Sequence, residues 1–158
     1  MDLLTYTVAL GASAATEDDY WILAIDHDTA YYDNNDSVTV DDSDNVYITL
    51  TPSRSTFKAS NIGHGYPTVM KIDKTGAIQW ARQAYQNVNS SKDTKCGQVG
   101  VDSSGNVYLA FNLDQSTFHY AKWNSSGTNS FIKATSGSSH AHHAGACDSN
   151  GNYICAGE

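Results

Sequence analysis

The sequence predicts an all-β fold assembled from repeated four-stranded antiparallel units. Three observations carry that expectation. One phrase occurs three times, as Val40-Asp41-Asp42-Ser43-Asp44-Asn45-Val46-Tyr47, as Val101-Asp102-Ser103-Ser104-Gly105-Asn106-Val107-Tyr108 and as Cys147-Asp148-Ser149-Asn150-Gly151-Asn152-Tyr153-Ile154. A second phrase falls between its copies, Met70-Lys71-Ile72-Asp73-Lys74-Thr75-Gly76 and Ala121-Lys122-Trp123-Asn124-Ser125-Ser126-Gly127, with a worn form at residues 23–29. Self-similarity of this kind marks a repeat architecture. The composition agrees: 11% aromatic with ten tyrosines, only 16% charged, and two prolines in 158 residues. Asn, Ser, Thr, Gly and Asp fill the gaps between short apolar runs, as turns between strands require.

The best copy justifies the elements in order. Residues 98–101 form a short strand and 102–106 a tight turn, in which Asp102 accepts backbone N–H bonds and Gly105 supplies the φ > 0 position that closes a hairpin. Residues 107–111 are the second strand and 118–123 the third. Asn124 to Gly127 repeats the turn chemistry, and 128–134 closes the meander. Strands at 37–40, 46–50, 68–72 and 77–82 form a second unit. The N-terminal part supplies strands at 4–10 and 20–25 with a degraded fourth strand around 30–32, and the C-terminal part supplies 144–147 and 153–156. Two substitutions depart from the pattern: Asp44 replaces the turn glycine, and Thr29 stands where glycine is expected.

The second strands are apolar on both faces. Val46, Ile48 and Leu50 share one face, as do Val107, Leu109 and Phe111, while Tyr47 and Tyr108 load the other. Such strands are covered on both sides, which suits sheets stacked upon sheets. Thr39, Gly100 and Ala146 are small residues at equivalent central positions of the first strands, fitting strands that crowd towards a common axis. Four-stranded units stacked this way describe β-propeller blades. The expected organisation is a single repeat domain over 1–158: a blade part at 1–33, blades at 37–83 and 97–134, and an incomplete blade at 141–158. This is a partial propeller of about three blades that starts and ends mid-blade. Closed propellers need about four to eight blades, so the chain is expected to be a piece of a longer propeller or to close with copies of itself.

Val101 to Ala110, followed by Tyr120 to Gly127, resembles the bacterial β-propeller repeats of the SBBP and NHL-like kind. Lys71-Ile72-Asp73-Lys74-Thr75-Gly76-Ala77-Ile78-Gln79-Trp80-Ala81-Arg82 has the same character. Copies ending in Gly-x-Ile-Gln-Trp-x-Arg also resemble those of long structural and tail-appendage proteins of bacteriophages. The resemblance covers nearly the whole chain. It implies a propeller fold and a place in a virion, with other virion proteins or copies of itself as partners, and says little about chemistry.

Nine basic against seventeen acidic residues give a formal charge of −8. That surface repels phosphate backbones, and no basic stripe relieves it, so nucleic acid is not an expected partner. The N-terminal residues lack the charged and apolar regions of a secretory signal. No apolar stretch approaches the roughly 20 residues of a membrane-spanning helix. Cys96, Cys147 and Cys155 read as small buried hydrophobes, because the hairpin register puts Cys147 and Cys155 on adjacent strands but not opposite each other. Asn35, Asn89 and Asn124 open glycosylation-type triplets, for which chance suffices in a chain rich in Asn and Ser.

His140-Ala141-His142-His143 is the metal candidate, since alternate histidines on a strand share a face and can grip zinc. Asp41 and Asp44 lie in a stretch resembling part of a calcium loop, and hard cations want converging oxygens. Against both stand simpler readings: solvated loop histidines, and acidic residues on turn duty. No cofactor is therefore expected, with Zn or Ca as the open alternatives. Trp21, Trp80 and Trp123 could stack on sugars, but aromatics at matching repeat positions more often pack between units. Glu17 and Glu158 are the sole glutamates, and no nucleophile or phosphate-cradling motif occurs, so no catalytic residues and no enzyme are expected.

The functional expectation is a non-enzymatic structural and adhesion module of a phage virion appendage, such as a tail fibre. The loops at 51–66, 84–95 and 112–117 would offer weak contacts multiplied by copy number. The alternative is a lectin-like bacterial propeller that binds cell-surface glycan.

Overall fold

The computed structural model describes residues 34–51, 66–84, 95–113, 117–135, 142–148 and 150–157. The described residues are all-β. β1 (Asn34–Val40), β2 (Val46–Thr51), β3 (Thr68–Ile72) and β4 (Ile78–Gln83) form one four-stranded sheet in that order. β5 (Lys95–Val101), β6 (Val107–Leu113), β7 (Thr117–Trp123) and β8 (Asn129–Ala134) form a second, and β9 (His142–Cys147) pairs with β10 (Tyr153–Gly157). Every pairing is antiparallel. The predicted strands at 4–10, 20–25 and 30–32, together with Trp21 and Thr29, lie outside the described residues.

Predicted and observed strands differ mainly at their ends. Ala77 and Thr128, expected to open fourth strands, belong to the turns instead. Their N–H groups donate to the side chains of Asp73 and Asn124 rather than entering the ladder at once. A bulge follows each turn, between Lys71 and Ile72 and between Lys122 and Trp123 on the partner strand. It puts Trp80 opposite Lys71 and Phe131 opposite Lys122, so Trp80 and Phe131 are equivalent positions in the two sheets.

Register gives each unit two faces. Val107, Leu109 and Phe111 face the preceding sheet and join Tyr47, Val69 and Trp80 of that sheet in one core with Ala121 and Trp123. Leu50, Met70, Ile72 and Ala81 form a second core on the opposite face of the first sheet. Both-sided burial is therefore real: Tyr47 and Leu50, on opposite faces of β2, are both buried. Each large aromatic so placed removes roughly 150–250 Å² from water, a stabilisation of a few kcal/mol at about 25 cal/mol per Å². The first strands lie side by side, β1 against β5 and β5 against β9. Gly100 is the reason β9 can approach, because a Cβ there would meet the side chain of Cys147 at 3.0 Å. Ala146, at the equivalent place in β9, is exposed, so no such crowding explains its size.

The cysteines depart in part from expectation. No disulfide joins them, and Cys155 pairs with Gly145 rather than Cys147, as the register predicts. Cys96 is buried, but Cys147 is half-buried and Cys155 is exposed. Among the described residues β9 and β10 form a two-stranded sheet with β9 against β5, so Cys155 on β10 lies at its rim.

Candidate functional site

Five turns share one construction. In each, the first residue's N–H donates to the carbonyl of the fifth, and the fourth residue's N–H donates to the carbonyl of the first; the first residues are Asp41, Asp73, Asp102, Asn124 and Asp148. The fourth residue has φ > 0 throughout: Asp44 at 61°, Gly76 at 85°, Gly105 at 74°, Gly127 at 76° and Gly151 at 80°. This is the three-residue hairpin loop with a left-handed closing position. The first side chain completes it. Oδ1 of Asp102 accepts the N–H groups of Ser104 and Asn106, both at 2.9 Å. Asp41, Asp73, Asn124 and Asp148 do the same.

Two of these turns also enlist a tyrosine. The second oxygen of Asp41 accepts from Asn45 Nδ2 and the Tyr47 hydroxyl, each at 2.9 Å. That of Asp102 accepts from Asn106 Nδ2 at 2.8 Å and Tyr108 at 3.0 Å. A lysine ammonium then lies over each tyrosine ring, Lys71 over Tyr47 at 5.4 Å and Lys122 over Tyr108 at 4.8 Å. Sequence reading took these tyrosines for apolar ballast and missed the hydroxyl bond; the six-residue spacing from Asp to Tyr was the available signal.

In the third copy the tyrosine is one place earlier. Tyr153 therefore faces the second sheet, stacks on Tyr108 (centroids 5.9 Å, planes 7° apart) and donates to the Gln98 carbonyl at 2.6 Å. Its hydroxyl end lies over Gly145, where a Cβ would collide with it.

Burial raises the proton affinity of Asp41 and Asp102, but the donated hydrogen bonds outweigh it and hold both carboxyls below the ordinary range. Asp73 is lowered chiefly by the Thr75 hydroxyl, and Asp148 by the Asn152 amide. Burial, then the neighbouring carboxylate, pushes the Tyr47 phenol well above its usual value. The Cys147 thiol is raised by burial and by the charges of Asp102 and Asp148.

The turns of all three copies converge around a depression of about 380 Å³ lined by Asp41, Asp42, Asn45, Lys71, Asp102, Cys147 and Asp148 among others. Of the proposed metal ligands, Asp41 is committed to its turn and Asp44 is the closing residue of that turn. His142 and His143 belong to β9, and His140 lies outside the described residues. Among the described residues, no group of three or more His, Cys, Asp or Glu is placed to hold a metal ion.

Trp80 and Arg82 clasp the neighbouring unit. The Trp80 indole lies against Gly127, where a Cβ would stand 2.8 Å from its ring, and Nε1 donates to the Ser125 carbonyl at 3.2 Å. Arg82 Nε donates to the Gly127 carbonyl at 2.7 Å. Trp123 is buried in the shared core. Both tryptophans pack between units, as their repeat positions suggest. A second cavity of about 440 Å³ lies between the second sheet and β10, lined by Tyr108, Phe118, Tyr120, Phe131, Tyr153 and Cys155 among others.

No protein-family model matches the chain, and no curated protein matches it in sequence. In fold it is similar to the crystal structure of the major Malassezia sympodialis allergen Mala s 1, with a TM-score of 0.54 at 13% identity, over 87% of this chain and 47% of that one. The chain thus spans about half the length of that protein, and the likeness is one of fold alone.

Proposed function

We propose that this chain is a non-enzymatic structural and adhesion module, a partial β-propeller within a phage virion appendage such as a tail fibre. The side-by-side first strands and the face-to-face packing of successive sheets support reading the units as blades. One observation carries the non-enzymatic reading. Three of the four acids that line the depression, Asp41, Asp102 and Asp148, each spend their oxygens on their own turn and are held as carboxylates. A general acid needs a carboxyl whose proton is available near the working pH, and these are tuned the other way. The virion role is supported by the repeat resemblance. Mass spectrometry of purified particles is expected to find the protein, and the isolated protein should compete with particles for host cells. Its absence from particles sinks this reading.

The aromatic cavity beside β10 favours a second reading, a glycan-binding propeller, since Tyr120 and Phe131 are only half-buried there. Stacking of a sugar ring on Tyr120 predicts glycan-array binding that Tyr120→Ala abolishes; an array on which nothing binds removes it.

A further inference from the structure

The third position of the shared turn, just before the left-handed residue, holds Ser43, Thr75, Ser104, Ser126 and Asn150 in the five copies. Four of these carry a hydroxyl and the fifth an amide. The turn requires a left-handed residue at its fourth position, met in that copy by Gly151 with φ 80°. Asn150 is also the one asparagine in the sequence that precedes a glycine. At this turn, therefore, a side-chain amide stands beside a peptide nitrogen that no Cβ shields.

Asn150 is exposed, on the turn that joins β9 to β10. The Gly151 N–H donates to the Asp148 carbonyl at 3.1 Å, the longest of the five bonds of this kind. That bond restrains the nitrogen, and an exposed turn opens locally at low cost.

We infer that Asn150 is a site of spontaneous, one-way modification whose co-reactant is water. The Gly151 nitrogen gives up its proton and bonds to the side-chain carbonyl carbon of Asn150. The amide nitrogen leaves with that proton as ammonia. Water then opens the cyclic imide. Opening at the side-chain carbonyl leaves aspartate, and opening at the main-chain carbonyl leaves isoaspartate, whose backbone runs through the β-carbon. The inference does not depend on the virion role.

Both products disturb the contact between units. Each puts a new carboxylate beside Asp148, in place of an Asn150 side chain that bonds to it. Isoaspartate also adds an atom to the main chain directly before Gly151. That glycine is packed closely on the second unit: a Cβ there would stand 3.1 Å from an Asp102 carboxylate oxygen and 3.3 Å from the Tyr108 hydroxyl. Modification therefore loosens β9–β10 from the second sheet, and Cys147, which lies against Gly100, reports it.

The test ages the whole chain in buffer at mildly alkaline pH, which favours loss of the amide proton. Isoelectric focusing and peptide mass spectrometry follow the products. Asn150 is expected to convert before any other asparagine, adding one negative charge to the −8 of the fresh chain. Asn150→Ser copies Ser104 of the equivalent turn, so it keeps the turn and should abolish that shift. Thiol labelling of Cys147 should be faster in the aged wild type than in the aged variant. Earlier conversion of another asparagine overturns the inference, as does a variant that shifts as fast as the wild type. So does an Asn150 that survives ageing in buffer; its conversion in urea would then show that the folded turn locks it. Unchanged labelling of Cys147 in a fully converted chain overturns the loosening.

Discussion

A single side chain does most of the work of each turn, a carboxylate in four of them and the Asn124 amide in the fifth. Oδ1 gathers two N–H groups that the bend would otherwise leave without partners, and at Asp41, Asp102 and Asp148 Oδ2 ties the turn to Asn and, in the first two, to Tyr. The consequence for pH has a definite sign. Asp41, Asp73, Asp102 and Asp148 are all lowered in the folded state, whereas an unfolded aspartate titrates near 3.9, a value of about 4. Their contribution is therefore complete above that value and is lost as pH falls through the lower folded-state values. Urea unfolding should be flat from neutrality to about pH 5 and weaken below about pH 4. Asp102→Asn should shrink that acid loss and cost about 1–2 kcal/mol at neutral pH, as a charged acceptor is replaced. Asp44 shows the opposite economy, a side chain where glycine belongs. Left-handed backbone costs a non-glycine residue about 1–2 kcal/mol, partly recovered as lower unfolded entropy. Asp44→Gly should raise stability by roughly 0.5–1 kcal/mol in the same assay.

Between elements, the decisive contacts run from the end of one meander to the last turn of the next. Trp80 fills space that Gly127 leaves, and Arg82 bonds the same residue's carbonyl. Trp80→Ala should destabilise by about 3–5 kcal/mol, the usual cost of removing a buried aromatic. Gly127→Ala should also destabilise, through its left-handed backbone and the Trp80 ring together. Both are read from denaturant midpoints, and a neutral result for Gly127→Ala would mean the clasp is loose. Strand order and most boundaries were legible because alternation and turn chemistry are local. Ala77 and Thr128 were misplaced because their backbone donors serve a side chain four residues back, which alternation does not reveal. The partners of Trp80 were equally invisible, since Ser125 lies 45 residues away.

Across the molecule, cover is uneven. The second sheet has a sheet on one side and a strand pair on the other, so Val107, Leu109 and Ala110 are all buried. The β9–β10 pair offers exposed Ala144, Ala146, Ile154 and Ala156 on its far side. Opening free energy follows such differences. Hydrogen exchange should find β6 the slowest strand and β9–β10 among the fastest, and equal rates would mean the units open together. Thiol labelling should follow the same gradient: Cys155 first, Cys147 slower, and Cys96 only on unfolding.

Sequence alone determined the hairpins, because an Asp, a left-handed residue and alternating apolar side chains act within a few positions of one another. It also showed that strands with two apolar faces need cover on both. Which residues provide that cover was decided only in three dimensions. Moving a tyrosine from position 154 to 153 turns it to the other side of its strand, since strand side chains alternate. The ring that stacks on Tyr108 and the bare Ile154 behind it both follow from that one step, yet neither partner is near in the chain.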